Sequence, residues 1–216
     1  MLGKLNRKRV NGILDRWSAS LLKIVKLKYE VYGKIPAQEP GRRYILMSNH
    51  ASHYDIPITL QAFSNYCIRM IAKKELFQVP VWGKAMRQSE FMSIDRENRK
   101  QALLDLEFAK DKLSSGITTW AAPEGTRTRT GELGPLKKGP VVLAIQTEAI
   151  IIPFIIKGSR KVLPADTWKF STGEKVDVVI GEPIDAKTYR LKQRKELLET
   201  VEQQFKELLN YSANCS

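Results

Sequence analysis

The sequence predicts an α/β fold: a central, mostly parallel or mixed sheet flanked by helices, with an N-terminal amphipathic helical segment. Three observations carry this. Short apolar runs rich in β-branched residues alternate with stretches of helical periodicity, as layered α/β chains require. Residues 1–34 carry a different pattern, an apolar stripe at helical spacing among lysines and arginines. The longest apolar runs, 141–145 and 149–156, fall far short of the ~20 residues that a membrane-spanning helix needs, so apolar runs of this length read as core elements.

In chain order, Val10, Ile13, Leu14, Trp17, Leu21, Ile24, Val25 and Leu27 form the stripe of the first segment, with Arg9, Arg16, Lys23, Lys26 and Lys28 on its other faces. A basic amphipathic helix bearing tryptophan suits the plane of an anionic membrane interface, and it equally suits packing against a protein core. After Gly33 the strand candidates are 44–48, 68–72, 91–94, 117–121, 150–156 and 176–180. The helix candidates are 56–63, 98–114, 140–146 and 191–209. No repeat or long linker interrupts them, so 35–210 reads as one domain and 211–216 as a frayed tail.

The chain has 216 residues, 43% of them hydrophobic and 27% charged, which fits a folded domain and not a disordered one. Its 36 lysines and arginines against 23 acidic residues leave +13, which calls for an anionic partner. No recognised nucleic-acid motif accompanies the charge, so nucleic acid is not the expected partner. The two cysteines, Cys67 and Cys215, lie far apart with no metal-ligand spacing and read as free thiols in a reducing compartment. No cleavable leader is expected, because no uninterrupted apolar core follows Arg7-Lys8-Arg9.

Chemistry concentrates in Ser48-Asn49-His50-Ala51-Ser52-His53-Tyr54-Asp55, directly after the apolar run Tyr44-Ile45-Leu46-Met47. The chain's two histidines both sit here. An imidazole at a strand end, with a carboxylate at the next turn, makes an oriented general base: the acid fixes the tautomer and stabilises the charged ring. Two other readings compete. His50, His53 and Asp55 as metal ligands lack the further Cys or His that a stable transition-metal site wants, so no metal is expected. Ser52 as a hydrolase nucleophile lacks a Gly-x-Ser-x-Gly elbow, and its hydroxyl is better suited to capping the turn that carries Asp55.

Three further clusters follow in order: Phe91-Met92-Ser93-Ile94-Asp95-Arg96, Pro123-Glu124-Gly125-Thr126-Arg127 and Ile151-Ile152-Pro153-Phe154. Together with the His50 motif, this set over about residues 40–185 resembles the glycerolipid acyltransferase family that includes the 1-acylglycerol-3-phosphate acyltransferases. The resemblance implies that His50 is the general base and Asp55 its orienting partner. It implies that Glu124, Gly125, Thr126 and Arg127 bind the acceptor, with Arg127, Arg96 and, less directly, Lys74 on its phosphate. Glu124 would hydrogen-bond an acceptor hydroxyl or fix the arginines. The lysines of Gly131–Pro140 would meet the phosphates of the donor or lie in a solvated loop.

The activity so implied is transfer of a fatty acyl group from acyl-CoA or acyl carrier protein to a lysophospholipid hydroxyl, most naturally that of 1-acylglycerol-3-phosphate, giving phosphatidic acid. No cofactor is implied, since the donor thioester arrives activated. Acylation of a different lysolipid, or a non-catalytic basic lipid-binding module, are the alternatives. The implied location is peripheral, on the cytoplasmic side of a membrane with anionic lipids. The chain departs from the family pattern twice: Ala122 stands where a phenylalanine is usual before Pro123, and Gln88-Ser89-Glu90 lacks the glycine often found before Phe91.

Overall fold

Unbroken apolar runs make strands that can be buried on both faces, and two of them form the middle of the sheet. The computed structural model describes residues 6–94 and 99–211. Within these residues the order is α1 (Arg7–Ile24), β1 (Lys28–Tyr32), β2 (Tyr44–Ser48), α2 (Asp55–Ala62), β3 (Ile68–Lys73), α3 (Trp82–Gln88), β4 (Met92–Ile94) and α4 (Arg99–Ser114). There follow β5 (Thr118–Ala121), α5 (Gly139–Thr147), β6 (Ile150–Lys157), α6 (Ser159–Val162), β7 (Lys175–Ile180), β8 (Ile184–Asp185) and α7 (Arg194–Asn210).

The sheet runs β1-β7-β6-β2-β5-β3-β4, with β8 paired to β6. Strands β6, β2, β5, β3 and β4 are mutually parallel, whereas β7 and β8 are antiparallel to β6. The sheet is therefore mixed, with a parallel centre. Side chains alternate across it. Tyr44, Leu46, Ile152, Phe154 and Trp120 face the layer of α1 and α2; Ile45, Met47, Ile151, Ile155 and Ala121 face α4, α5 and α7. Phe154 and Phe63 meet at 4.9 Å between ring centroids, and truncating a wholly buried phenylalanine of this kind costs about 3–5 kcal/mol.

The single helical region expected over residues 1–34 is corrected by the structure. The helix ends at Ile24, Lys26 takes φ 50°, and residues 28–32 form β1 in parallel register with β7, from Lys28 opposite Lys175 to Tyr32 opposite Val179. Lys-Tyr-Glu-Val-Tyr is richer in β-forming than helix-forming residues, and Leu27, once past the reversal, is buried in the core instead of continuing the stripe. The N-terminal segment is thus built into the sheet rather than appended to it. The expected tail, 211–216, lies outside the described residues apart from Tyr211. That residue is fastened: its ring lies 6.0 Å from Tyr32 and its carbonyl accepts from Lys157 Nζ at 2.6 Å.

The missing glycine before Phe91 has a physical substitute. Glu90 occupies φ 63°, a conformation that glycine adopts most easily. Its carboxylate receives Arg7 Nε at 2.6 Å and Nη2 at 2.9 Å, and Lys112 Nζ at 3.0 Å. This cluster ties the start of α1 to the turn before β4 and to α4. The Arg7 hydrogen bond, helped by Lys112, holds the Glu90 carboxyl down at about 2 against the opposing effect of burial.

A carboxyl depressed in the folded state stabilises above its unfolded value, near 4.5, and loses that contribution as pH falls through its folded value. Glu90→Gln is expected to lower stability at pH 7 by about 1 kcal/mol, the upper range for a partly exposed pair. The gap between variant and wild type should close between pH 4.5 and 2 in urea titrations; a gap independent of pH would refute the ion-pair account.

Candidate functional site

Parallel pairing brings the chemistry together. Leu46 is opposite Trp120 and Met47 opposite Ala121, so β2 and β5 end side by side and the chain emerges at one edge as Asn49-His50 and Ala122-Pro123-Glu124. On the other flank of β2, the Asn49 side chain imitates a strand residue. Its Nδ2 donates to Ile156 O at 3.0 Å, and its Oδ1 accepts from Ile156 N at 2.8 Å. This continues the β2–β6 ladder past Ser48 and sets the direction in which His50 leaves the sheet.

His50 is held at four points. Its backbone N–H donates to Glu124 Oε1 at 2.8 Å and its carbonyl accepts from Thr128 N at 2.8 Å. Its ring stands edge-on to Trp120, with centroids 5.4 Å apart and planes at 88°. Its Nδ1 lies 2.8 Å from Asp55 Oδ2. An ionised carboxylate only accepts, so in the neutral ring Nδ1 carries the proton and Nε2 the lone pair.

Asp55 opens α2 and is wholly buried. The same Oδ2 also accepts from the backbone N–H groups of Ala51 at 2.7 Å and Ser52 at 2.9 Å. The Ser52 hydroxyl is equally buried; it donates to Leu163 O at 2.8 Å and accepts from Tyr54 N at 3.2 Å. Ser52 therefore pins the turn ahead of α2, as its sequence position suggests, and is engaged on both sides.

The loop after β5 turns at Gly125, with φ 76° and a 2.9 Å bond from its N–H to Ala122 O. Glu124 points inward. One carboxylate oxygen accepts from His50 N and the other from Gly134 N at 2.8 Å. A Cβ on Gly134 would lie 3.1 Å from Glu124 Oε2, so glycine permits this approach. Burial raises the Glu124 carboxyl above its ordinary range, and the two backbone N–H groups with the His50 charge pull the other way. Within the chain, the Glu124 carboxylate is thus held by two backbone donors.

Thr126 is exposed and Arg127 half-buried on the same loop. His53, on the outer side of the His50 turn, has its basicity lowered by burial, then by the positive charge of Arg127 and by His50. Arg127 therefore acts electrostatically on the histidine turn. Lys74 follows β3, two strands from β2 on the same edge, and is half-buried. Arg96 lies outside the described residues. Among the described residues no group of three His, Cys, Asp or Glu side chains gathers as a metal site.

Trp120, Asn49 and Gly134 are parts of the site that sequence reasoning missed. For Trp120 a signal exists: it is a large residue at the end of a strand candidate, three positions before Pro123. Its indole N–H donates to Ser48 Oγ at 3.0 Å, which fixes the ring against His50.

Glu124→Ala would leave two N–H groups of the His50 and Gly134 loops without their acceptor. At about 1–3 kcal/mol for each such group when buried, the expected loss is about 3 kcal/mol by urea denaturation. Glu124→Gln, which retains one acceptor oxygen, should lose less. Equal stability of Glu124→Ala and wild type would show that the carboxylate holds nothing.

Comparison with known proteins gives a consistent answer. The sequence model of the Acyltransferase family matches residues 28–157. A 1-acyl-sn-glycerol-3-phosphate acyltransferase of Haemophilus influenzae is 30% identical over 180 residues, 82% of this chain and 72% of that protein. A chloroplastic 1-acyl-sn-glycerol-3-phosphate acyltransferase of Brassica napus is 28% identical over 185 residues, 85% of this chain and 53% of that protein. The chain spans about half the length of such plant relatives. The crystal structure of the 1-acyl-sn-glycerophosphate acyltransferase PlsC from Thermotoga maritima superposes with a TM-score of 0.77 at 28% identity, covering 96% of this chain and 83% of that one.

Proposed function

This chain belongs to the acyltransferase family, and from that premise we propose that it acylates the free hydroxyl of 1-acylglycerol-3-phosphate to give phosphatidic acid, using acyl-CoA or acyl carrier protein as donor. The carrying observation is the 2.8 Å contact of His50 Nδ1 with the buried Asp55 carboxylate. It makes Nε2 the basic nitrogen of the ring. A hydroxyl is a poor nucleophile at neutral pH, and a base within hydrogen-bond reach removes its proton as it attacks.

In the proposed reaction, His50 Nε2 takes the acceptor's hydroxyl proton while that oxygen forms a bond to the thioester carbonyl carbon. The tetrahedral intermediate then collapses with cleavage of the C–S bond. The proton on His50 passes to the departing sulfur, and Asp55 stabilises the ring while it is charged. The enzyme itself is not acylated.

The names of the relatives support the choice of acceptor. Its phosphate suits the planar fork of Arg127; Arg96 is assigned the same task by its motif position, and Lys74 is a third candidate. Glu124 is read as a positioning residue that holds the His50 backbone.

Membrane attachment is proposed at the periphery, on the cytoplasmic side. Among the described residues no helix is long and apolar enough to cross a membrane. Helix α1 divides its apolar residues: Val10, Leu14, Leu21 and Leu22 pack inward, whereas Ile13, Trp17 and Ile24 form an exposed stripe beside Arg9, Arg16 and Lys23. That stripe supports contact with anionic head groups.

His50→Ala is expected to reduce kcat/KM by about 10²–10⁴, the usual contribution of a general base, while keeping a native far-UV circular-dichroism spectrum at the assay temperature. Thiol release from acyl-CoA in the presence of acceptor is the readout, and wild-type turnover would remove His50 from the mechanism. Arg127→Ala should mainly raise KM for a phosphorylated acceptor. An equal rise for the corresponding acceptor without phosphate would deny Arg127 its proposed partner.

A further inference from the structure

The parallel strands β6, β2, β5 and β3 are consecutive in the sheet, so their carboxyl ends share one edge. The middle two lead to His50 and Glu124. The outer two lead to segments that each present large apolar side chains to solvent. After β3 these are Leu76, Val79, Val81 (85% exposed) and Trp82 (51%); after β6 they are Trp168 (89%) and Phe170 (53%). At about 4.8 Å per strand, the roots of the two segments lie roughly 14 Å apart, with the His50 loop between them.

Neither tip is a frayed end. The first is a γ-turn: Trp82 N–H donates to Pro80 O at 2.7 Å, with Val81 at φ 65°, ψ −54°. That conformation is rare and strained, most of all for a β-branched residue. The loop is closed behind it by Gly83 N to Val79 O at 2.8 Å and Arg87 Nη1 to Phe77 O at 2.7 Å. The second tip is fastened to the histidine motif. Ser52 Oγ holds Leu163 O, Phe170 stacks edge-on against Tyr54 at 6.1 Å, and Ser171 N closes the loop on Val162 O at 2.9 Å.

Exposed cations flank both tips: Lys73, Lys84 and Arg87 on one side, Lys161 and Lys169 on the other. Opposing them are Glu75 and Asp166, the latter paired with Arg129 at 2.6 Å.

We infer that these two tips form a two-lobed surface that enters the head-group boundary of an anionic bilayer, so that the His50 loop lies against the membrane between them. Aromatic and aliphatic tips ringed by lysine and arginine match that boundary: apolar groups reach the acyl layer while the cations meet anionic lipid. Two separate exposed apolar tips need no complementary pockets in a fluid bilayer, whereas a folded partner would have to supply both. The surface lies on different elements from the α1 stripe. The inference deepens the lipid-acceptor reading and rests on it for the role given to the His50 loop.

The test uses the full chain and two kinds of vesicle, phosphatidylglycerol–phosphatidylcholine and phosphatidylcholine alone. Trp82→Ser/Trp168→Ser should bind the anionic vesicles about tenfold more weakly than wild type, a 1.4 kcal/mol loss, with an unchanged Tm. Turnover on a short-chain, freely dissolved acceptor should match wild type, while turnover on vesicle-embedded acceptor falls with binding. In wild-type protein, brominated acyl chains should quench tryptophan fluorescence, and the double variant should lose most of that quenching.

Wild-type vesicle affinity in the double variant, or no vesicle binding by wild type, overturns the surface. So does loss of binding to an acidic carrier protein with vesicle binding unchanged. If the variants separate tenfold on vesicles but no acceptor is acylated by the wild type, the surface stands and the enzymatic reading fails.

Discussion

One carboxylate oxygen organises the candidate site. Oδ2 of Asp55, at the first turn of α2, accepts from the His50 ring and from the N–H groups of Ala51 and Ser52. Those three donors come from three consecutive residues, so the turn between β2 and α2 must wrap around the oxygen before the ring can be oriented. Burial makes the arrangement consequential. A carboxylate shielded from water interacts more strongly with its partners than an exposed one, and loss of its hydrogen bonds would be costly. The fold supplies what keeps the turn in place: Asn49 clipped to β6, Ser52 clipped to Leu163, and Glu124 clipped to the His50 backbone.

Glu124 extends the same logic to the next loop. By accepting from His50 N and Gly134 N, it joins the end of β2 to the segment preceding α5. Arg127 sits three residues further along this loop, and its charge is felt at His53. The base and the cation that would grip a phosphate are therefore carried by segments bolted to each other. In the proposed reaction, such a construction would hold the distance between reacting hydroxyl and head group by protein geometry.

Much of this was legible in the residues. Tyr44–Ser48 and Ile150–Lys157 show as strands because both faces are buried and the runs are uninterrupted. The His50–Asp55 pairing follows from an imidazole at a strand end and an acid at the next turn. Other features depend on tertiary contacts that local pattern does not carry. Residues 28–32 follow α1 with no glycine or proline to mark a break, yet β7 offers them a parallel edge, and the reversal at Lys26 delivers them to it. Helix α3 has seven residues and begins after a strained turn, too short for periodicity to register. The backbone donors to Glu124 come from residues 50 and 134, and no local pattern around Glu124 points to either. Glu90 reads as a departure from the family until Arg7, 83 residues away in sequence, is found holding it.

Strand order then gives the site its setting. Because β6, β2, β5 and β3 end on one edge, the His50–Asp55 pair, the Arg127 loop and the two apolar tips all follow strand ends on that edge. Everything chemical in this account depends on which nitrogen of His50 carries the proton. The chain's two histidines make that directly observable: ¹⁵N-histidine NMR of the intact protein resolves two rings, assigned by His53→Gln. At alkaline pH, where imidazole is neutral, His50 should be protonated at Nδ1 with an unprotonated Nε2, a preference that Asp55→Asn abolishes. A His50 ring protonated at Nε2, or a tautomer indifferent to Asp55, would deny Asp55 its orienting role.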